Sequence, residues 1–389
     1  TQVAGLEHGG IHSKIFEYLN ISPPKATILN PSCIVDLNDG SNPINIWYES
    51  KEWIKERKMQ FPGSDNFWNL CSLIHKSNWK FANNNPVLPF YNWWDLSQFL
   101  NALSPSNFLT GVLIKSSIFD ILKICGSHKD QRLIKFLNLQ LKLYSQEDVF
   151  NTAALYGCTV LQMSQNPHGL FHLKESMQAL SRALEVSLRE TGANIIFNEK
   201  VELLNFDSKK QYWKLLTSKG SKNFEYTSQD VVYTPPPQSL LNKLDINSES
   251  LKKKYMKNIE NLNIPSGALV FYSAISKDHL KKVTSNHYQL VNNDLGSLFI
   301  SFSEDGDGRA PKGEITLIAS IFANINDWQG LTKDLYISKK DYFLNKISNV
   351  IEKKFEISPQ NWLHREIATP LSFERWTNRP KGIVGGLGQ

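Results

Sequence analysis

The chain ends on "FERWTNRPKGIVGGLGQ", which sets Gly382, Gly385, Gly386 and Gly388 within seven residues. Glycine-rich turns let backbone N–H groups approach a phosphate closely, provided a helix N-terminus follows to complete the cradle. Here Gly386 and Gly388 supply only the first two glycines of GxGxxG, and "TNRPK" rather than a strand precedes them, so the tail is not itself a dinucleotide fingerprint. His8 and His12 have the i,i+4 spacing that puts two metal ligands on one helix face. Gly9 and Gly10 between them oppose a helix there, and no acidic partner stands at helical spacing, so no metal site is expected. Asp305 and Asp307 in "SEDGDGRAPKG" (303–313) are spaced like the first ligands of a calcium loop. Arg309 then falls where an oxygen is needed and no glutamate closes the loop, so the stretch reads as a turn. The acid pairs Glu147/Asp148 and Glu304/Asp305 sit in polar, turn-like surroundings. No GxSxG, HExxH or P-loop occurs, which argues against a self-contained triad hydrolase, a zinc protease of that type and a P-loop NTPase. The residues alone assign no catalytic group.

Composition narrows the class further. The 389 residues are long enough for two or three packed domains, and ten Trp, thirteen Tyr and twenty-one Phe favour extensive apolar contact surface. The net charge of +6 is spread out, with only short clusters such as "LKKKYMKN" (251–258), so no nucleic-acid partner is expected. Cys33, Cys71, Cys125 and Cys158 are far apart and show no CxxC spacing; they read as small buried apolar residues in a reducing compartment. The chain starts on Thr1, with no charged leader and apolar stretch after it. The longest uncharged run, 96–114, carries too many Ser, Asn, Gln and Thr residues for a spanning helix.

These chemistries need elements to hold them. The pattern predicts a short helix over 11–20, strands in "ATILNPSCIVDLND" and "INIWYE", and a Ser-capped helix in "SKEWIKERKMQFPG". From Asn66 to Ser145 it is mostly helical. Residues 86–125 there read either as a packed helical subdomain or as a monotopic surface, with Trp93, Trp94, Phe99, Leu100, Phe108 and Leu109 entering one leaflet. Met177, Leu180, Ala183, Leu184 and Leu188 share one helical face, and Gly192 ends that helix. Strands are expected in "NIIF", "VELLNF", a hairpin around "KQYWKLLTS", and a buried "DVVY" stopped by "TPPP". Beyond them come a helical stretch at 238–261, strands "GALVFYSAI", "LGSLFISFS" and "EITLIASIFA", and a helix around 338–354. The class is α+β with α/β character.

Taken together, "TQVAGLEHGGIHSKIF", "IKERKMQFPGS", "FLNLQLKLYSQ", "PHGLFHLKESMQALSRALEVSLRETGA", "DGRAPKGEITLIAS" and "ATPLSFERWTNRPKGIVGGLGQ" resemble the FAD-dependent carotenoid desaturase and isomerase family of amine-oxidase-like flavoproteins. The likeness runs in family order from first residue to last and is nearest to the cyanobacterial carotenoid 3′,4′-desaturases. It implies an FAD/NAD(P)-binding flavoprotein fold, incomplete here because the terminal FAD-binding segments would lie before Thr1 and after Gln389. On that reading 1–170 is substrate domain with a membrane-associating part at 86–125. Residues 171–237 are an internal piece of the FAD domain, 238–378 the second part of the substrate domain, and 379–389 the start of the last FAD segment.

The resemblance places Thr1 near the flavin ring, Ser176 and Met177 in a "GSMQ"-like motif beside it, Val201 at the adenine, and Thr234 and Pro235 near the dinucleotide. Glu175 departs from that motif, which has glycine. Either its bulk faces the flavin or, the reading preferred here, it caps the following helix. The implied activity is 3′,4′-desaturation of a carotenoid by hydride transfer to flavin, with carotenoid cis–trans isomerisation as the alternative. If the chain is complete, a non-catalytic carotenoid- or lipid-binding protein is the reading from another class. The implied partners are a carotenoid and a membrane surface, with the protein peripheral on the cytoplasmic side of a thylakoid or plasma membrane.

Overall fold

The computed structural model describes residues 2–245, 253–262 and 265–385, without the side chains of Leu109, Lys253 and Lys254. The first part of the chain supplies strands β1 (Gln2–Val3), β2 (Ala26–Ile28), β3 (Cys33–Asp36) and β4 (Ile44–Ile46), with helix α1 (Ile11–Tyr18) among them. Helices α2 (Ser50–Gln60), α3 (Asp65–Asn83), α4 (Trp93–Ala102), α5 (Pro105–Gly111), α6 (Ile118–Ile124), α7 (Gln131–Tyr144) and α8 (Ala154–Val160) follow. Strand β5 (Phe171–Leu173) leads to α9 (Gln178–Glu190), then to β6 (Lys200–Asp207), β7 (Tyr212–Lys219) and β8 (Lys222–Ser228). The last part comprises α10 (Lys253–Glu260), β9 (Gly267–Ser276), β10 (His287–Asn292), β11 (Gly296–Phe302), β12 (Glu314–Ala323), α11 (Lys333–Phe355), β13 (Trp362–Ala368) and α12 (Pro370–Thr377).

A seven-stranded sheet, ordered β13-β9-β12-β11-β10-β3-β4, organises the molecule. Along β9 and β12 burial alternates residue by residue, the signature of a strand with one face in a core. That face carries Leu269, Phe271, Ile315, Leu317 and Ile321, and it packs with Ile347, Ile351 and Phe355 of α11. Thr332 caps α11 by accepting from Leu335 N–H, and Glu356 ends it in a left-handed conformation. A second core joins β3 and β4 to α2, α3, α6, α7 and α8, around Trp53, Trp68, Phe61 and Phe136; the two tryptophans meet edge-on at 5.6 Å. β3 lies parallel to β10 and so ties the helical layer to the sheet. Two small sheets, β1-β5-β2 and β6-β7-β8, complete the fold.

Several expectations change. The strand anticipated over 26–39 splits at Pro31 into β2 and β3, which belong to different sheets. Helix α2 has Glu49 at its N-cap, without a side-chain cap, and Ser50 is its first residue. Residues 194–197 ("NIIF") and 230–233 ("DVVY") enter no ladder among the described residues, and Val232 is 87% exposed rather than buried. A strand requires a neighbour for its N–H and C=O groups, and no described segment supplies one there. In place of a helix over 238–261, a short 3₁₀ turn at Pro237–Ser239 and α10 are separated by Leu244, which bridges to Leu204; residues 246–252 lie outside the described set. Gly9 and Gly10 stand outside α1, so His8 and His12 do not share a helix face. Among the described residues no group of three or more His, Cys, Asp or Glu could hold a metal. Cys33, Cys71 and Cys158 are buried, whereas Cys125 is partly exposed; all four are free thiols.

Candidate functional site

The turn that launches α9 is the most constrained part of the structure. β5 is held on both edges, by β1 and by β2, and the chain leaves it through Glu175 and Ser176 at φ +65° and +81°. Two successive non-glycine residues in the left-handed region persist only where neighbours fix them. The 304–309 loop does so: Glu175 N–H donates to the Asp307 carbonyl at 2.7 Å, and Arg309 Nη2 donates to the Leu173 carbonyl at 2.6 Å. Gly308, at φ +88°, could carry a Cβ only 3.0 Å from Glu175 Cγ. In "EDGDGR" Gly308 therefore serves close approach as well as the turn, whereas Gly306, at φ +76° with open space around it, serves the turn alone.

Asp307 is the pivot of this loop. Its carboxylate accepts from Glu304 N–H (3.0 Å), Arg309 N–H (3.1 Å) and His172 Nε2 (3.0 Å). Burial alone raises its pKa, but these bonds and the Arg309 guanidinium outweigh burial and hold the carboxyl below the usual range. An ionised Asp307 requires the proton on His172 Nε2, and burial keeps His172 neutral by lowering its pKa. The ring of His287 is 6.3 Å from that of His172, fully buried, and stacked on Phe299 at 5.8 Å. Both its nitrogens lack partners among the described residues, and burial pushes its pKa well down.

His287 and Gln289 open onto the second face of the seven-stranded sheet. α7 covers the β10 end of this face: Gln140 donates to Gln289 at 2.7 Å, and Lys142 lies 5.6 Å above the Phe322 ring. Val270, Tyr272, Ile318 and Phe322 on β9 and β12 remain half-buried, forming an apolar floor open to solvent. The same face also carries Thr316 and Ser320 on β12 and His364 and Glu366 on β13, so it is an extended, largely apolar strip interrupted by polar groups.

The residues singled out from sequence fall in two places. Ser176 and Met177 lie at the start of α9, on the constrained turn; Ser176 Oγ accepts from Gln178 N–H at 3.3 Å and Met177 is the N-cap. No acidic residue occupies the first turn, and its N–H groups are engaged locally: Ala179 N–H donates to the Ser176 carbonyl and Leu180 N–H to the Met177 carbonyl, each at 3.2 Å. Glu175 stands two residues before the N-cap and does not cap the helix; its exposed carboxylate is 3.9 Å from Arg182. Val201, on β6 beside an irregularity in register, gives its carbonyl to the Lys243 ammonium. Thr234 and Pro235 are exposed in the segment after β8. No hydrogen bond or ion pair among the described residues joins these three to Ser176 and Met177. Thr1 lies outside the described residues. Sequence reading missed His172, His287 and Arg309. The one available signal was the alternation in "HYQLVN", where His287 and Gln289 point to one face and Tyr288 and Leu290 to the other.

No family model matches the chain. Its sequence is 22% identical over 271 residues to a chloroplastic prolycopene isomerase of Daucus carota, covering 67% of this chain and 43% of the relative. It is 24% identical over 268 residues to prolycopene isomerase 2 of an Oncidium hybrid cultivar, covering 67% and 45%. The chain thus spans less than half the length of the curated relatives it matches. Among solved structures it resembles a putrescine oxidase double mutant (TM-score 0.56, 10% identity, 98% of this chain and 75% of that one). It also resembles the PF1083 protein of Pyrococcus furiosus (0.58, 13%, 94% and 74%) and an oxidoreductase of Methanosarcina mazei (0.53, 12%, 95% and 74%). The chain therefore has the mixed α/β fold of amine-oxidase-like, FAD-dependent oxidoreductases, and in sequence it is similar to the prolycopene isomerases.

Proposed function

We propose that the protein is an FAD-dependent enzyme that modifies a carotenoid, with cis–trans isomerisation as the first reading. The observation that carries it is the similarity to prolycopene isomerases over two thirds of the chain, combined with an apolar sheet floor suited to a long polyene. The flavin reading of the α9 turn rests on its fixed left-handed backbone at Glu175 and Ser176, a strained geometry of the kind found at ligand sites. FAD, when bound, supplies hydride-accepting chemistry. This chain's residues position and exclude water: the Asp307–Arg309 clamp fixes the turn, and the sheet floor aligns the polyene. Ser176, Met177, Val201, Thr234, Pro235 and Thr1 are the proposed flavin contacts. Desaturation at the 3′,4′ position is the second reading, favoured by the motif set quoted above. The proposed site of action is a membrane surface reached from the cytoplasmic side.

Incubating the protein with FAD and a poly-cis lycopene separates these readings. Isomerisation shifts the absorbance at constant mass. Desaturation lengthens the chromophore with loss of two hydrogens. Flavin retained with neither product overturns the carotenoid assignment, and no flavin retention at all overturns the flavoenzyme reading of this chain.

A further inference from the structure

Helix α3 has a second face besides the one in the core. Ser72, His75, Lys76, Trp79, Lys80 and Asn83 follow one another at short helical steps and form a single stripe. With the 7–14 segment and the 162–168 loop, this stripe lines a cavity of about 630 Å³. Within it His75 Nε2 is 2.9 Å from His168 Nε2, and His168 Nδ1 is 3.0 Å from Glu7 Oε1. Trp79 covers both rings, its centroid 5.4 Å from His75 and 4.4 Å from His168.

The proton count along this wire is fixed by its chemistry. An ionised Glu7 accepts from His168 Nδ1–H, which leaves His168 Nε2 as an acceptor for His75 Nε2–H. His75 Nδ1 then presents a bare lone pair. That atom and Glu7 Oε2 are both buried and lack partners among the described residues, and His75 is only 7% exposed. Buried polar atoms without partners are uncommon in native proteins and ask for a missing ligand. The other charges in the lining are Lys14, Lys76 and Lys80, and the one carboxylate there, Glu7, is engaged by His168. Asn83, Asn84, Gln162 and Asn166 add donors and acceptors.

We propose that this cavity binds a small oxyanion that also carries an O–H, a phosphate monoester or a hydroxycarboxylate. The lysines hold the anionic group and His75 Nδ1 accepts the hydroxyl. Burial and the neighbouring His168 lower the pKa of His75 to about 4, so near neutral pH the ring is uncharged and able to accept. A polar, cationic lining is unsuited to a polyene, so this site is separate from the sheet floor and does not rest on the carotenoid reading.

Calorimetric titration of the protein with glycerol 3-phosphate, malate and sulfate tests the site. Glycerol 3-phosphate or malate, whichever source of oxyanion the site prefers, binds about tenfold more tightly than sulfate, the equivalent of roughly one hydrogen bond. The Lys76→Gln/Lys80→Gln double variant, changed only at exposed positions, weakens binding by at least about tenfold at unchanged melting temperature. His75→Gln keeps a donor toward His168 but removes the Nδ1 acceptor, and it lowers the preferred ligand to the affinity of sulfate. The proposal is overturned if none of the three ligands binds, if all three bind alike to the unchanged protein, or if the double lysine variant binds as well as the parent.

Discussion

At the scale of single residues, the structure stores several histidines in their neutral form. Burial lowers the pKa of His75 from 6.5 to about 4, and it also lowers those of His172 and His287. An unfolded chain takes up protons on these rings below pH 6.5, whereas in the folded protein His75 resists until nearer pH 4 and His172 and His287 also resist below their ordinary range. The unfolded state therefore binds more protons across that window, and stability is complete above pH 6.5 and falls as the pH drops through it. Asp36 and Asp307 have pKa values lowered from 3.8, so their contribution is lost from about pH 5 downward and cancels between parent and variant in the comparison that follows. Replacing His287 by Leu, of similar volume, removes one such proton. Urea melts at half-unit steps from pH 7 to 4.5 are expected to show a slope flatter by up to about 1.4 kcal/mol per pH unit. Equal slopes for parent and variant would mean that His287 is not held neutral. None of this was legible in the sequence. His172 and Asp307 are separated by 135 positions, and nothing local to "FHL" or "DGDG" announces their pairing.

At the scale of elements, period decides what sequence reveals. β9, β12 and α11 bury one face and expose the other, so their alternation or helical spacing is plain in the letters. β1 and β5, with two and three residues, are too short to show a period. β13 is an edge strand whose middle, "LHRE", is exposed and largely polar. α9 is instructive because its helix was legible but its burial was not. Leu184 and Leu188 are exposed, and Ser187 is the one buried residue of the helix among those described. Ile351 of α11 occupies a corresponding apolar position but has no exposure at all. Leu184→Ala is accordingly expected to change the unfolding free energy by no more than about 0.5 kcal/mol, as at other surface positions. Ile351→Ala is expected to cost about 2–5 kcal/mol through lost burial and a cavity. Denaturant titration of the two variants measures both. A cost above about 2 kcal/mol at Leu184 would show that this face is covered in solution, for example by a second copy of the chain.

At the scale of the whole molecule, the helical layer has two sides. Its inner side is the Trp53–Trp68–Phe136 core, while its outer side over 88–114 leaves large apolar groups in the open. Trp93 is 85% exposed, and Trp94, Phe90, Phe108, Val112 and Ile114 are all at least half exposed; Phe99, by contrast, packs between Phe81 and Phe90. A packed helical subdomain would have hidden these residues. Among the described residues no helix is long and apolar enough to cross a membrane, so any contact of this patch with lipid is from one side. Contiguous exposed apolar surface of this kind marks an interaction face, and tryptophans partition favourably to the lipid boundary. Lys115, next in the chain to Ile114, suits anionic headgroups, at about 1 kcal/mol close to the surface. A carotenoid dissolved in a bilayer gives this face its purpose in the proposed function, since an enzyme drawing substrate from a leaflet has to hold that leaflet. Co-sedimentation with vesicles of phosphatidylcholine and phosphatidylglycerol is expected to fall at least about tenfold for Trp93→Ala/Trp94→Ala, because each side chain forfeits on the order of 1.5–3 kcal/mol of transfer. The melting temperature should stay unchanged, since neither residue supports the core. Removing phosphatidylglycerol should weaken binding less than the double substitution does, because burial rather than charge is the larger of the two terms. Full binding by the variant would show that Trp93 and Trp94 do not hold the lipid surface.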